Sequence, residues 1–300
     1  ALAAGMCLGA TGSDTGGSIR APAAVNGIAG IKATYGRVSK HGVAVLSWSL
    51  DHTGPLARTV KGVALLLEAI AGPDQFDPTT VRDVPVPAYA EALSGDIRDL
   101  RIGVPTNYFV DNVQAPVLEA FRAAVATLEG LGAAVVDVHI PSLENLRETF
   151  FSTVIPEASA YHQKVFLERA KDYGDDVRFL LETGHLFHAT TYINALRSRS
   201  VIKDGFRKAF TDIDVLVTPT LPVTAPKVGQ ESYQFGDFAE PIFRAHARFC
   251  CPFNLSGQPA VSVPCGFALD NLPIGLQVVG KPFDEATALR VADAFEKNTD

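Results

Sequence analysis

The stretch Arg101–Ile140, RIGVPTNYFVDNVQAPVLEAFRAAVATLEGLGAAVVDVHI, decides the fold class. Arg101–Val104 reads as a short strand ended by Pro105. Ala115–Leu131 reads as a helix stopped by Gly132. Val135–Ile140, dominated by β-branched residues, reads as a second strand. Strand, helix, strand in that order predicts two parallel strands joined by a right-handed crossover. Toward the C-terminus, Leu143–Ala209 reads as mostly helical and Asp214–Thr218 as a buried strand ended by Pro219. Thr220–Glu240, with its Pro and Gly, reads as a long irregular loop, and Ile242–Asn254 as a helix. Ala260–Pro264 and Gly275–Val279 read as strands around a hairpin-like turn at Asp270-Asn271. Asp284 is placed to N-cap a closing helix over Asp284–Asn298.

Toward the N-terminus, Val60–Ala71 carries Val60, Val63, Ala64, Leu67 and Ile70 on one helical face, with Thr59 as N-cap and Gly72-Pro73 as the stop. Gln75–Asp99 reads as a surface connection with one short helix at Pro87–Leu93, and Arg37–Val45 as turns through Gly36 and Gly42. Ala1–Leu8 reads as the end of a buried helix, Gly9–Gly17 as a loop, and Ala21–Gly30 as small residues packed under that loop. The pattern predicts an α/β fold: a mixed, largely parallel central sheet flanked by helices.

A chain of 300 residues, 47% hydrophobic and 20% charged, is expected to be a soluble globular protein with a large core in one or two domains. The net charge of -7 and the absence of a basic run argue against nucleic acid as a partner. No apolar run is long enough to span a bilayer, and Ala1–Gly9, though apolar and small, lacks the basic n-region of a signal peptide. Cys7, Cys250, Cys251 and Cys265 read as free buried thiols of a reducing compartment, hence a cytoplasmic protein. Their spacing suits no metal, and His185 and His188 lack further ligands in register.

The chemistry centres on Gly12-Ser13-Asp14-Thr15-Gly16-Gly17-Ser18-Ile19-Arg20-Ala21-Pro22. A serine hydroxyl needs a base to become a nucleophile and N–H donors to hold an oxyanion. Thr15, Gly16 and Gly17 can present backbone N–H groups without side-chain obstruction. A phosphate loop would require a lysine after the glycines, and neither the dinucleotide pattern nor the G-x-S-x-G elbow is present. A tight structural turn or an anion nest remains the alternative.

That run, with Gly30-Ile-Lys-Ala-Thr-Tyr-Gly-Arg-Val-Ser39, closely resembles the amidase signature family. Ser49-Leu-Asp-His-Thr-Gly-Pro-Leu-Ala-Arg58, Val215-Leu-Val-Thr-Pro-Thr220, Asn254-Leu-Ser-Gly-Gln-Pro-Ala-Val-Ser-Val-Pro264 and Gly275-Leu-Gln-Val-Val-Gly-Lys281 fit the same family, in order along the chain. The resemblance implies one amidase-signature domain over residues 1–300, with 143–240 as a helical and loop insertion-like region. It implies cleavage of carboxamides through an acyl-serine, by a Ser–Ser–Lys triad without metal or cofactor. Ser18 would be the nucleophile, backbone N–H groups of Thr15, Gly16, Gly17 and Ser18 the oxyanion hole, and Asp14 and Arg20 the supports of the loop. The bridging serine and the lysine would fall before Ala1, so the resemblance implies a C-terminal portion, N-terminally incomplete and inactive by itself. Lys32 lies in a segment the family uses structurally. His41, His52 and His246 read as packing or turn residues.

Three readings follow from the resemblance: an amidase acting on a small-molecule amide, the glutaminase subunit of a tRNA-dependent amidotransferase, or a non-catalytic truncated module. Asn26 and Asp51-His-Thr-Gly incline toward the first. Phe150, Phe151, Phe187 and Tyr192 hint at an apolar acyl pocket. The substrate and the oligomeric state, a homodimer being one option, are not written in the sequence.

Overall fold

A computed structural model describes residues 1–299. Eight strands form one sheet: β1 (Gly9–Asp14), β2 (Ala29–Lys32), β3 (His52–Ala57), β4 (Arg101–Pro105), β5 (Ala134–Val138), β6 (Val215–Pro219), β9 (Ala260–Phe267) and β10 (Pro273–Gly280). Their spatial order is β1-β3-β2-β9-β10-β6-β4-β5, and a separate hairpin pairs β7 (Ser232–Phe235) with β8 (Phe238–Pro241). The fold is mixed α/β with helices flanking the sheet. The parallel pairing predicted for the β4–β5 unit is present, as is a second parallel contact of β4 with β6. From β1 through β3, β2, β9 and β10 to β6 every pairing is antiparallel. The sheet is therefore parallel only at one end, not largely parallel. Consecutive strands such as β9 and β10 are linked by a tight turn, with Asn271 at φ 56°, which forces antiparallel neighbours.

Period-two alternation divides the strand residues between two cores. Val215, Val217, Val261, Val263, Leu276 and Val278 enter one, with α2 (Val60–Ile70), α3 (Ala115–Gly130) and α9 (Glu285–Lys297). Leu216, Ala260 and Val279 enter the other, with α4 (Leu146–Arg169), α6 (Ala189–Ala209) and α8 (Cys251–Ser256). Helix α1 (Arg20–Asn26) contacts β9 and β10, and α5 (Asp175–Gly184) packs on α4. The expected caps form: Thr59 accepts from Gly62 N, and Asp284 from Thr287 N.

Several expectations are corrected. Gly9–Asp14 is not loop but strand β1, paired with β3 from Gly9↔Ala57 to Asp14↔His52. Its glycines and short polar residues carry no strand signature, and neither does the sequence of β3. Ala1–Leu8 is not a buried helix. One turn ends in the two bonds of a Schellman motif, Met6 N to Ala1 O and Gly5 N to Leu2 O, with Gly5 at φ 71°. Met6 and Leu8 beyond it are 80% and 84% exposed. Ala21–Gly30 contains α1 and the start of β2. Pro87–Leu93 forms turns rather than a helix, around the fully buried Tyr89. Thr220–Glu240 holds the β7–β8 hairpin, whose two-residue turn Gly236-Asp237 has Gly236 at φ 59°. Ile242–Asn254 is two helices, α7 (Ile242–Arg248) and α8, because Pro252 starts a new helix where it cannot continue an old one.

Leu276 is fully buried in β10, at the middle of the sheet. Leu276→Ala is expected to cost about 2–5 kcal/mol. In urea the midpoint should fall with the slope unchanged; an unaltered midpoint would place the core elsewhere.

Candidate active site

Strand β1 delivers Asp14 to a fully buried position, and α1 begins six residues later at the fully buried Arg20. Arg20 uses all five N–H donors. Nε and Nη2 donate to the Asp14 carboxylate at 3.0 and 2.9 Å, Nη2 also to Asn254 Oδ1 at 2.7 Å, and Nη1 to Gln277 Oε1 and Cys250 O at 2.7 and 2.9 Å. Asp14 in turn accepts from Gly17 N at 2.8 Å, Ile19 N at 3.2 Å and Asn254 Nδ2 at 2.9 Å. Gln277 is oriented by donating to Thr218 Oγ1 and Phe249 O.

Burial alone would raise the Asp14 carboxyl, but the Arg20 guanidinium, Lys32 and the donated hydrogen bonds hold it well below the usual carboxylate range. Burial alone would lower Arg20, and the Asp14 charge outweighs it.

The loop between these two residues is packed to the limit that glycine allows. Gly17 has φ 134°, and a Cβ there would lie 2.7 Å from Cys250 Cβ. At Gly16 a Cβ would lie 2.6 Å from Phe150 Cζ. Thr15 is buried and donates from Oγ1 to Asp51 Oδ1 at 2.6 Å. Asp51 also accepts from Leu46 N and Ser47 N, and burial raises its carboxyl. Ser18, in contrast, is exposed. It opens on a cavity of about 400 Å³, lined by Thr15–Ser18, Ala21, Pro22, Val25, Leu46, Phe150, Val154, Phe243, His246 and Ala247. That is the size range of a small-molecule site.

The sequence-derived residues do not stand alike. Ser18, Thr15, Gly16 and Gly17 line the cavity; Asp14 and Arg20 lie beneath the loop. Of the four backbone amides, that of Gly17 is engaged by Asp14, whereas those of Thr15, Gly16 and Ser18 have no acceptor among the described residues. Lys32 is fully buried in β2. Its Nζ donates to the carbonyls of Gln258 and Ala33, and burial pulls it well below its ordinary value. His52 is buried, with Nδ1 2.6 Å from Leu50 O. Of the four aromatic residues, Phe150 lines the cavity, while Phe151 lines a smaller one of about 180 Å³ that shares Phe150 and Ala247. Phe187 and Tyr192 line neither. Asn254, Gln277 and Asp51 lie within the family-like motifs, but their sequence context gives them no part in the site; His246 reads there as packing and instead lines the cavity. Among the described residues no cluster of three or more His, Cys, Asp and Glu is arranged to hold a metal, and no helix is long and apolar enough to cross a membrane.

A family model described as Amidase matches residues 1–289. An amidase of Pseudomonas putida is 44% identical over 292 residues, 97% of this chain and 62% of that protein. A glutamyl-tRNA(Gln) amidotransferase subunit of Chloroflexus aggregans is 40% identical over 326 aligned residues, 100% of this chain and 65% of that protein. A solved structure of a vestigial protein complex, tied to the origins of an s-triazine catabolic enzyme, is 33% identical with a TM-score of 0.91. It covers 99% of this chain and 64% of that one. The chain thus spans less than two thirds of the length of the proteins it resembles.

Removing the Asp14 charge strands a buried guanidinium, which is expected to cost about 3–5 kcal/mol in Asp14→Asn. Because the native carboxyl lies below its unfolded value of ~3.9, its contribution is complete above about pH 4 and is lost as pH falls through the depressed value. The stability gap between wild type and Asp14→Asn, measured by denaturant titration, should stay flat from neutral to mildly acidic pH and shrink below about pH 4. A gap that widens on acidification would contradict this.

Proposed function

The chain belongs to the amidase family, and on that premise we propose that it hydrolyses a carboxamide through an acyl-serine formed on Ser18. The observation that carries this reading is a single exposed hydroxyl on a loop otherwise locked by Asp14, at the mouth of a cavity of about 400 Å³. Ser18 Oγ attacks the amide carbon, and the developing oxyanion is taken by the unengaged amides of Gly16 and Ser18, with Thr15 and Gly17 completing the turn. Collapse breaks the C–N bond and releases ammonia or an amine carrying the proton. Water then attacks the acyl carbon and frees the acid and Ser18.

The family resemblance assigns the proton transfers to a lysine acting through a second serine. Lys32 does not fill that part: its Nζ donates to two carbonyls inside the sheet. Asp14 and Arg20 act as positioning residues, since neither lines the cavity.

A second reading, the glutaminase subunit of an amidotransferase with its partner subunits, is supported by 40% identity to such subunits over the whole chain. The loop serves both reactions equally. What favours hydrolysis of a less polar amide is the cavity lining, which holds no Asp, Glu, Lys or Arg.

Ser18→Ala should lower amide turnover by at least about 10³-fold and abolish covalent modification by a fluorophosphonate, seen as loss of the mass increment on the Ser18 peptide. Retention of turnover or of labelling in that variant would refute the assignment.

A further inference from the structure

Among the residues that line the Ser18 cavity, His246 is the one titratable side chain. It sits in α7, and its carbonyl oxygen is among the atoms that crowd Gly17. The β7–β8 hairpin packs on the same helix, Tyr233 joining Val223 and Ala245 in a small core with Ile242 at its edge. That packing puts the Tyr233 hydroxyl 3.2 Å from His246 Nε2 and 2.7 Å from Thr224 O. A phenol has one proton and a carbonyl can only accept, so the Tyr233 proton goes to Thr224 O. The hydroxyl then accepts from His246, which places the imidazole proton on Nε2 and leaves Nδ1 bare. Nδ1 has no partner among the described residues and is not sealed from solvent. Burial reinforces both assignments. It pushes Tyr233 up to about 12, so the phenol keeps its proton, and it pulls His246 below its usual value, so the imidazole is uncharged near neutral pH.

Apart from Ser18 and from Thr15, whose hydroxyl is bound to Asp51, the rest of the wall is apolar. Free glutamine bound there by its side-chain amide would carry its α-ammonium and α-carboxylate past Val25, Leu46, Phe150 and Val154, with no opposite charge to meet them. Arg147, Arg244, Arg248 and Glu240 line the neighbouring cavity, which shares only Phe150 and Ala247. Arg248 is already committed to Asp111 O, Asn112 O and Glu240.

We propose that His246 is a specificity-determining residue of the Ser18 cavity, its Nδ1 accepting a hydrogen bond from an uncharged, otherwise apolar acyl group such as a hydroxyaryl carboxamide. This rests on Ser18 being the reacting group of the same cavity.

The test is binding rather than turnover, by titration calorimetry on full-length Ser18→Ala, with the 2-, 3- and 4-hydroxybenzamides, the matching methoxybenzamides and L-glutamine. The best hydroxy isomer should bind about 10-fold more tightly than its methoxy counterpart, and L-glutamine should not displace it. Adding His246→Phe should bring the ratio to about 1. His246→Asn, whose Oδ1 falls near the place of Nδ1, should restore most of it. Tyr233→Phe frees the tautomer and should reduce the ratio without removing the imidazole, which keeps the test open if His246→Phe unfolds early. An unchanged ratio in both His246→Phe and Tyr233→Phe, displacement by L-glutamine, or no binding of any benzamide would overturn the proposal. Persistent amide turnover by Ser18→Ala, with the binding pattern intact, would instead remove the Ser18 reading and leave His246 as a ligand-binding residue.

Discussion

Everything around the cavity depends on burying one guanidinium. A buried ion costs several kcal/mol in lost hydration unless its charge and every donor are matched. Arg20 meets that condition with five bonds, and they reach four parts of the chain: Asp14 at the end of β1, Cys250 between α7 and α8, Asn254 in α8 and Gln277 in β10. No subset suffices, because one unmatched donor inside the core would leave a desolvated polar group. The pair therefore acts less as a source of net stability than as a register, since the sheet, α1 and the α7–α8 junction can meet in one arrangement only.

The loop inherits that register. Asp14 holds the amides of Gly17 and Ile19, so the residue between them is left pointing out while its neighbours are fixed. The close approaches of Phe150 to Gly16 and of Cys250 to Gly17 tie the same turn to α4 and to the α7–α8 junction. Both contacts work only because no side chain intervenes. The helices that bound the cavity are thus the ones that press on the loop, and a shift in either would move Ser18 relative to its own pocket.

This explains what was legible in the sequence. Val60–Ile70, Ala115–Gly130 and β4, β5, β6, β9 and β10 were readable because their apolar residues repeat with the period of the element that forms. Strand β1 was not, since Gly9, Gly12 and Ser13 carry no such signal and pair with β3 only once the loop is anchored. The Gly236-Asp237 turn is a local signal within reach, flanked by strands of only four residues each. Asp14 and Arg20 could be singled out by resemblance, but their partners Asn254 and Gln277 lie 240 and 257 residues away from them in sequence, and no periodicity connects such positions.

The same distinction separates chemistry from specificity. The reacting loop is a contiguous run whose geometry is set by glycine conformation and one carboxylate, so it reads directly from eleven consecutive residues. The cavity wall is assembled from α1, α4, α7 and the turn before β3. Its polarity arises only when Phe150, Val154 and His246 meet in space. Relatives at 44% and 40% identity carry the names of a hydrolase and of an amidotransferase component. On the proposed reading the loop sets the bond that is attacked and says nothing about the group attached to it. On the same reading the group in this chain is one that a largely apolar wall tolerates, and His246, the imidazole on that wall, has its free nitrogen determined not by its neighbours in sequence but by a tyrosine on the adjacent hairpin. A side chain set by a tertiary contact can change between relatives without disturbing the loop, which is the physical room in which one catalytic turn acquires different substrates.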